Sequence, residues 1–327
     1  MKKILLIGGA GYVGSVLTED LLDKNFNVTV LDKLLYNNKY AIKKFLTKKN
    51  FNFVNGDFCN INSLNLSLKD VTDVVILGGL VGDPITLKYP KLNQTINIDG
   101  IKNCVNYLNN KNLDKLLFIS TCSNYGLIKQ NISADENYEL KPLSLYAKAK
   151  VEIENYILNK SKNSIDYDPV ILRYATAFGL SPRMRFDLTV NEFTFELMND
   201  QLLEVYDADT WRPYCHVKDF SRLIINILKK KKNTLAFEIF NCGSNSNNHT
   251  KRNIVKLISK KIPNAKIKYR EKDKDPRNYR VDFSKIKKYL NFQTKYTVSD
   301  GIDELIKNFH LFKEKDKKLF GNYEIEK

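Results

Sequence analysis

The chain has 327 residues, 43% hydrophobic and 28% charged, values that lie in the globular range and allow one large domain or two unequal ones around a sizeable core. No run approaches the roughly 20 apolar residues that cross a bilayer. The most apolar stretch, 74–81, is bounded by Asp73 and Asp83, and the opening Met1-Lys2-Lys3 leads into a short run that ends in glycines, not in a cleavable leader; the expectation is a cytoplasmic chain with no membrane partner.

The formal net charge is +16, but the lysines are dispersed among many asparagines and isoleucines, without a compact basic stripe carrying interleaved aromatics. A solvated surface is therefore expected, with no nucleic-acid partner, although a positive field favours capture of an anionic small substrate. The five cysteines are scattered and odd in number, and the three histidines, His216, His249 and His310, lie far apart. Reduced thiols and no metal site follow from that spacing.

In chain order, residues 3–7 are a short apolar run of the kind that makes a buried parallel strand, and Gly8-Gly9-Ala10-Gly11-Tyr12-Val13-Gly14 follows at once. A helical pattern places Val13, Leu17 and Leu21 on one face, and a β-rich run at 28–31 ends in Asp32. In a strand, turn, helix, strand unit of this type, Gly8, Gly11 and Gly14 serve a tight turn, the approach of backbone to a pyrophosphate, and close helix packing. The amides that open the helix bind phosphate. Asp32, about 20 residues beyond the glycines, is placed to accept from the adenosine ribose hydroxyls and to repel a 2′-phosphate, which predicts NAD as cofactor over NADP. Lys33 beside it is the one feature in favour of NADP.

Further strands are predicted at 51–54, 74–77 and 116–120, alternating with helices, so the fold class is α/β with a doubly wound parallel sheet. Ligands in such sheets bind beyond the carboxyl ends of the strands. That rule singles out Asp57 and Phe58 to flank the adenine, Leu77, Gly78 and Gly79, and Thr121. A segment of good helix formers at about 142–159 carries Tyr146 and Lys150 four apart and so on one face. A lysine ammonium near a phenol favours the phenolate, which makes a base available near neutral pH.

With these residues in place the sequence resembles the extended short-chain dehydrogenase/reductases, the NAD-dependent epimerase/dehydratase type, over nearly its whole length. The resemblance rests on Gly8, Gly11 and Gly14, on Thr121 to Gly126, on Tyr146 and Lys150, on 173–179, where Thr176 replaces the usual asparagine, and on 211–219. It implies a Rossmann-type domain at 1–172 with a return segment at about 214–240, and a smaller, discontinuous substrate-binding portion over 173–327. It further implies that Tyr146 takes a proton from a sugar hydroxyl, that Lys150 holds the nicotinamide ribose, that Thr121 orients the reacting oxygen, and that Asn97 supports the site.

By the same resemblance Tyr12, Val13 and Tyr174 join the cofactor contacts. Val81, Ser123, Thr176, Asn191, Arg212, Arg277 with the preceding Asp275-Pro276, and Tyr279 join the contacts to a GDP-, UDP- or dTDP-linked sugar. Arg183 and Arg185, in the insert 181–187, are expected beside the substrate cleft, because a guanidinium pairs with phosphate oxygens through two parallel hydrogen bonds. Relatives that dehydrate carry Asp-Glu after the threonine; Cys122-Ser123 stand here, which disfavours dehydration. Cys122 is expected to be a buried small residue.

The stretches 79–84 and 178–188 resemble the GDP-mannoheptose 4-dehydrogenase branch of the family, and the expected reaction is hydride transfer at one ring carbon, C4, by a dehydrogenase, 4-epimerase or ketoreductase that serves a surface polysaccharide. The family also implies a homodimer through the helix that bears Tyr146 and the one before it. An RNA-binding or NAD-sensing protein without turnover is the rival class, and the aligned Thr121, Tyr146 and Lys150 argue against it. The Lys-rich tail after Phe312 is expected to be a frayed helix and mobile end.

Overall fold

The computed structural model describes residues 2–129, 131–160, 164–271, 277–313 and 317–325. Its centre is a seven-stranded sheet. The strands, in chain order, are β1 (Lys3–Ile7), β2 (Asn27–Asp32), β3 (Phe51–Asn55), β4 (Asp73–Ile76), β5 (Lys115–Thr121), β6 (Asp168–Tyr174) and β7 (Glu238–Cys242). They lie in the order β7-β6-β5-β4-β1-β2-β3, every pair parallel.

The strand sequences read as continuous apolar runs because helices cover both faces of the sheet. Leu6, Val30, Val75, Leu117, Val170 and Leu172 belong to one buried cluster, and Leu5, Ile7, Val74, Ile76, Leu116 and Ile171 to the other. Strand order reverses between β1 and β4, the crevice where this architecture opens a ligand site.

The chain leaves this layer after β6. A short strand, Thr176–Phe178, pairs parallel with Trp211–His216, which pairs antiparallel with Asn248–Thr250. A third cluster, with Phe178, Val190, Tyr214, Ile254 and Ile302, forms the core of this half. The return to the first layer runs through the helix Val217–Leu228, which packs on the helix Tyr12–Asp23, and then through β7. The strand Trp211–His216 itself belongs to the small sheet, so the return begins after His216.

The tail departs from its expected frayed state. Residues 317–325 fold back between the halves: Phe320 accepts from the Phe186 amide at 2.6 Å, the Asn322 side chain donates to the Val81 carbonyl at 2.9 Å, and Lys317 pairs with Glu192 and Glu196. Apolar contact drives this docking. Phe320 meets the rings of Phe186 and Phe312, which a run of lysines did not announce. Among the described residues no helix is long and apolar enough to cross a membrane.

Candidate active site

The glycine turn has the shape a dinucleotide needs. Gly8 has φ +83°, and a Cβ there would lie 2.6 Å from the Gly78 backbone; a Cβ on Gly14 would lie 2.4 Å from the Gly8 carbonyl oxygen. The helix Tyr12–Asp23 starts after Gly11 without a side-chain cap or an acidic residue in its first turn, so its leading amides remain for an anion. Val13 sits in that turn.

Asp32 closes β2 and accepts from the amides of Ala10 at 3.0 Å and Leu34 at 2.8 Å, while burial raises its pKa. The Lys33 ammonium pairs with Asp57 at 2.9 Å. Phe58 is buried next to Asp57. Asn97, in a π-helical turn at Asn93–Gly100, braces the loop after β4: its carbonyl oxygen accepts from the Leu80 amide at 2.8 Å, and its amide donates to the Leu80 carbonyl at 2.9 Å. Gly79 takes φ +140° beside it, where a Cβ would lie 2.5 Å from the Asn97 oxygen. That bracing holds Leu77, Gly78, Gly79 and Val81 at the mouth between β1 and β4.

Thr121 ends β5, and its hydroxyl oxygen caps the next turn by accepting from the Ser123 amide at 3.1 Å. The hydroxyl hydrogen is left to donate to a ligand. Ser123 hydrogen-bonds the Tyr279 hydroxyl at 3.0 Å, Tyr279 lies against the Arg212 guanidinium, and Arg212 donates to the Arg277 carbonyl. Arg277 pairs with Asp83; Asp275-Pro276 lie outside the described residues. Cys122 is buried, its thiol turned to the Arg173 carbonyl.

Tyr146 and Lys150 occupy the helix Leu145–Leu158, which Ser144 caps through the Ala147 amide. The Lys150 ammonium donates to the Ile119 carbonyl at 2.7 Å and lies 5.7 Å from the centre of the Tyr146 ring. Burial lowers its pKa to about 8, against the opposing pull of Glu154. Burial also raises the Tyr146 phenol, and the cation that most favours its ionised form is Arg185, with Asp83 and Tyr279 opposing. Arg185 had been expected only as a substrate contact. It holds Asp187 with two hydrogen bonds and approaches Gly82.

Three of the expected contact residues have their side chains engaged by the protein itself. Asn191 is fully buried and spends its amide on Gly179, Tyr12 and Arg185, so it braces the loop and does not face a substrate. Tyr174 stacks on Phe220 with ring centres 3.7 Å apart, near Cys215 and Cys242, which packs its ring into the core. Arg183 stands over the Tyr36 ring, on the Asp32 side of the cleft. Tyr12 meets Gly179 with its hydroxyl, so at that position the backbone remains for the cofactor. Thr176 opens its short strand, where it pairs with Tyr214. Asp83, Tyr36 and the tail residues Gly321 and Asn322 were missed; the only cue was that Asp83 sits in the 79–84 stretch.

A family model, "NAD dependent epimerase/dehydratase family", matches residues 4–243. The chain belongs to the NAD-dependent epimerase/dehydratase family. Curated relatives of this family include a UDP-glucuronate 4-epimerase of Thermodesulfobacterium geofontis, 25% identical over 94% of this chain and 95% of its own length. A UDP-glucose 4-epimerase of Bacillus subtilis is 24% identical over 92% and 94%. Among solved structures, the Bacillus cereus UDP-glucuronic acid 4-epimerase in complex with UDP-glucuronic acid and NAD superposes with a TM-score of 0.83 at 24% identity, covering 95% of this chain and 99% of that one. The family is NAD-dependent, and the glycine turn, the uncapped helix start and Asp32 fit that cofactor.

Proposed function

We propose that this chain is an NAD-dependent oxidoreductase that acts on a nucleotide-sugar, transferring hydride at C4 of a hexose or heptose as a dehydrogenase or 4-epimerase. The observation that carries the reading is that Lys150 lies 5.7 Å from the centre of the Tyr146 ring and donates to the Ile119 carbonyl, two residues before Thr121 at the carboxyl end of β5. NAD, when bound, supplies the hydride acceptor.

The remaining work falls to the chain. Thr121 donates to the reacting oxygen, Tyr146 receives the hydroxyl proton at its phenolic oxygen, Arg185 supplies the positive charge that opposes the upward push of burial on that phenol, and Lys150 holds the nicotinamide ribose. Arg212, Arg277, Tyr279, Ser123, Thr176 and Val81 form the wall toward the nucleotide. The turn after Thr121 offers a buried thiol and a serine engaged by Tyr279, neither a carboxylic acid, so water is not expelled. The named activities of the curated relatives, UDP-glucose and UDP-glucuronate 4-epimerisation, agree with C4 chemistry. The resemblance of stretches 79–84 and 178–188 to the GDP-mannoheptose 4-dehydrogenase branch favours the heptose dehydrogenase form, and the reading is completed by a surface-polysaccharide route, a cytoplasmic location and a homodimer as the family implies.

The test is incubation of the purified protein with NAD and a panel of UDP-, dTDP- and GDP-linked hexoses and heptoses, read by mass and by NADH absorbance. Loss of two hydrogens marks a dehydrogenase, and a new isomer of equal mass marks an epimerase. Tyr146→Phe should keep NAD affinity and lose both. Undiminished turnover in that variant would overturn the assigned base, and inertness toward every sugar by protein with NAD bound would overturn the reading.

A further inference from the structure

The insert 181–187 holds two arginines with different surroundings. Arg185 has its counter-charge in Asp187. Arg183 forms no close ion pair among the described residues, Asp187 and Asp32 acting on it only at longer range: the residue is 2% exposed, and its guanidinium donates to the Gly321 carbonyl at 3.0 Å and the Met184 carbonyl at 3.4 Å and lies 4.9 Å from the centre of the Tyr36 ring. No carboxylate among the described residues pairs with it. A buried cation without a partner is costly, and burial together with Arg185 lowers its pKa. The Tyr36 hydroxyl, buried beneath it, also lacks a hydrogen-bond partner. Both groups stand within electrostatic reach of each other, and Asp32 feels the Arg183 charge. An unpaired cation and an unpaired hydroxyl next to the ribose-binding acid describe a place for an anion that also carries a ribose.

We propose that Arg183, with Tyr36, binds the pyrophosphate of the dinucleotide, and that the C-terminal segment 320–322 latches it there. This rests on the family's NAD dependence and not on the reaction proposed above. The latch is anchored to both halves. Gly321 receives Arg183, Phe320 receives the amide of Phe186 in the same insert, and Asn322 reaches Val81 in the loop after β4. Lys88 and Glu324 close the far end. While those bonds persist, the guanidinium cannot swing away, and the dinucleotide leaves only after the segment undocks.

The experiment compares the full chain with Arg183→Gln, Arg183→Lys and a chain ended at Phe320. Affinity for NAD and for ADP-ribose is measured by calorimetry, release of NAD by displacement with ADP-ribose, and affinity for UDP and GDP as the substrate-side control. Arg183→Gln should weaken NAD and ADP-ribose alike by roughly ten- to a hundredfold, the range of one or two charged hydrogen bonds, and leave UDP and GDP unchanged. Arg183→Lys should fall between. The shortened chain should release NAD faster by a similar factor. An Arg183→Gln protein that binds NAD as the parent does, or whose loss is confined to UDP or GDP, overturns the assignment; an unchanged release rate from the shortened chain overturns the latch. Should Arg183→Gln fail to fold, Arg183→Lys and Tyr36→Phe carry the same comparison, and undiminished NAD affinity in both would be decisive against it. These readouts involve no sugar turnover, so failure here is separable from failure of the proposed reaction.

Discussion

Glu154→Gln addresses the ionic knot beneath the site. Glu154 is fully buried and accepts from Ser120, from Asn124 at 2.8 Å, and from Arg173 through Nε and, at 2.7 Å, Nη2. Arg173 also donates to Tyr125, whose hydroxyl reaches Asn241 on β7. Each member adjoins a site element: Ser120 precedes Thr121, Asn124 follows Ser123, and Glu154 lies one helical turn beyond Lys150. A glutamine keeps the shape, loses the charge, and turns a donor toward a set of donors while Arg173 stays buried and charged. Removing one partner of such a pair costs about 3–5 kcal/mol. At roughly 2–4 °C per kcal/mol for a chain somewhat smaller than this one, the unfolding temperature should fall by on the order of 10 °C. Thermal unfolding followed by circular dichroism, with kcat measured well below the transition, reads both effects. Glu154→Asp, which keeps the charge but not the reach, should fall between. A shift within the roughly 0.5 kcal/mol typical of surface substitutions would refute the reasoning.

Three other predictions follow from the geometry. Gly14→Ala places a methyl 2.4 Å from the Gly8 carbonyl and 2.7 Å from the Gly9 Cα, backbone atoms with no room to yield, so calorimetry should show NAD affinity reduced tenfold or more, by about 1.4 kcal/mol. Asp32→Ala should lower NAD affinity and narrow the preference over NADP; an unchanged ratio of the two dissociation constants would remove the role given to that carboxylate. Glu304, hydrogen-bonded by His216, Lys218 and the Leu180 amide, has its pKa lowered from 4.5 to about 2. Its folded-state value is depressed, so its stabilisation is fully present above pH 4.5 and lost as pH falls toward 2. The stability gap between the parent and Glu304→Gln should therefore close over that interval in denaturant titrations, and a gap independent of pH would contradict the assignment.

The strands of the parallel sheet, the glycine turn, Asp32, and Tyr146 with Lys150 were all legible in the sequence, because each depends on contacts within a few residues: apolar runs, backbone conformation after a strand, and the rise of a helix. The placement of the arginines was not. Arg183 and Arg185 are two residues apart and identical in type, yet one pairs with Asp187 and leans toward Tyr146 while the other stands unpaired over Tyr36. Asn191 and Tyr174 sit where the family motif suggests ligand contacts, but Gly179 and Phe220 claim them. Those outcomes are set by which distant segments share the cleft, above all the tail at Gly321 and Asn322, more than a hundred residues from its partners Arg183 and Val81 in sequence. Local pattern carries no record of such pairings, since the energy that decides them, the desolvation of a charge and the partner that offsets it, exists only once the chain has closed on itself.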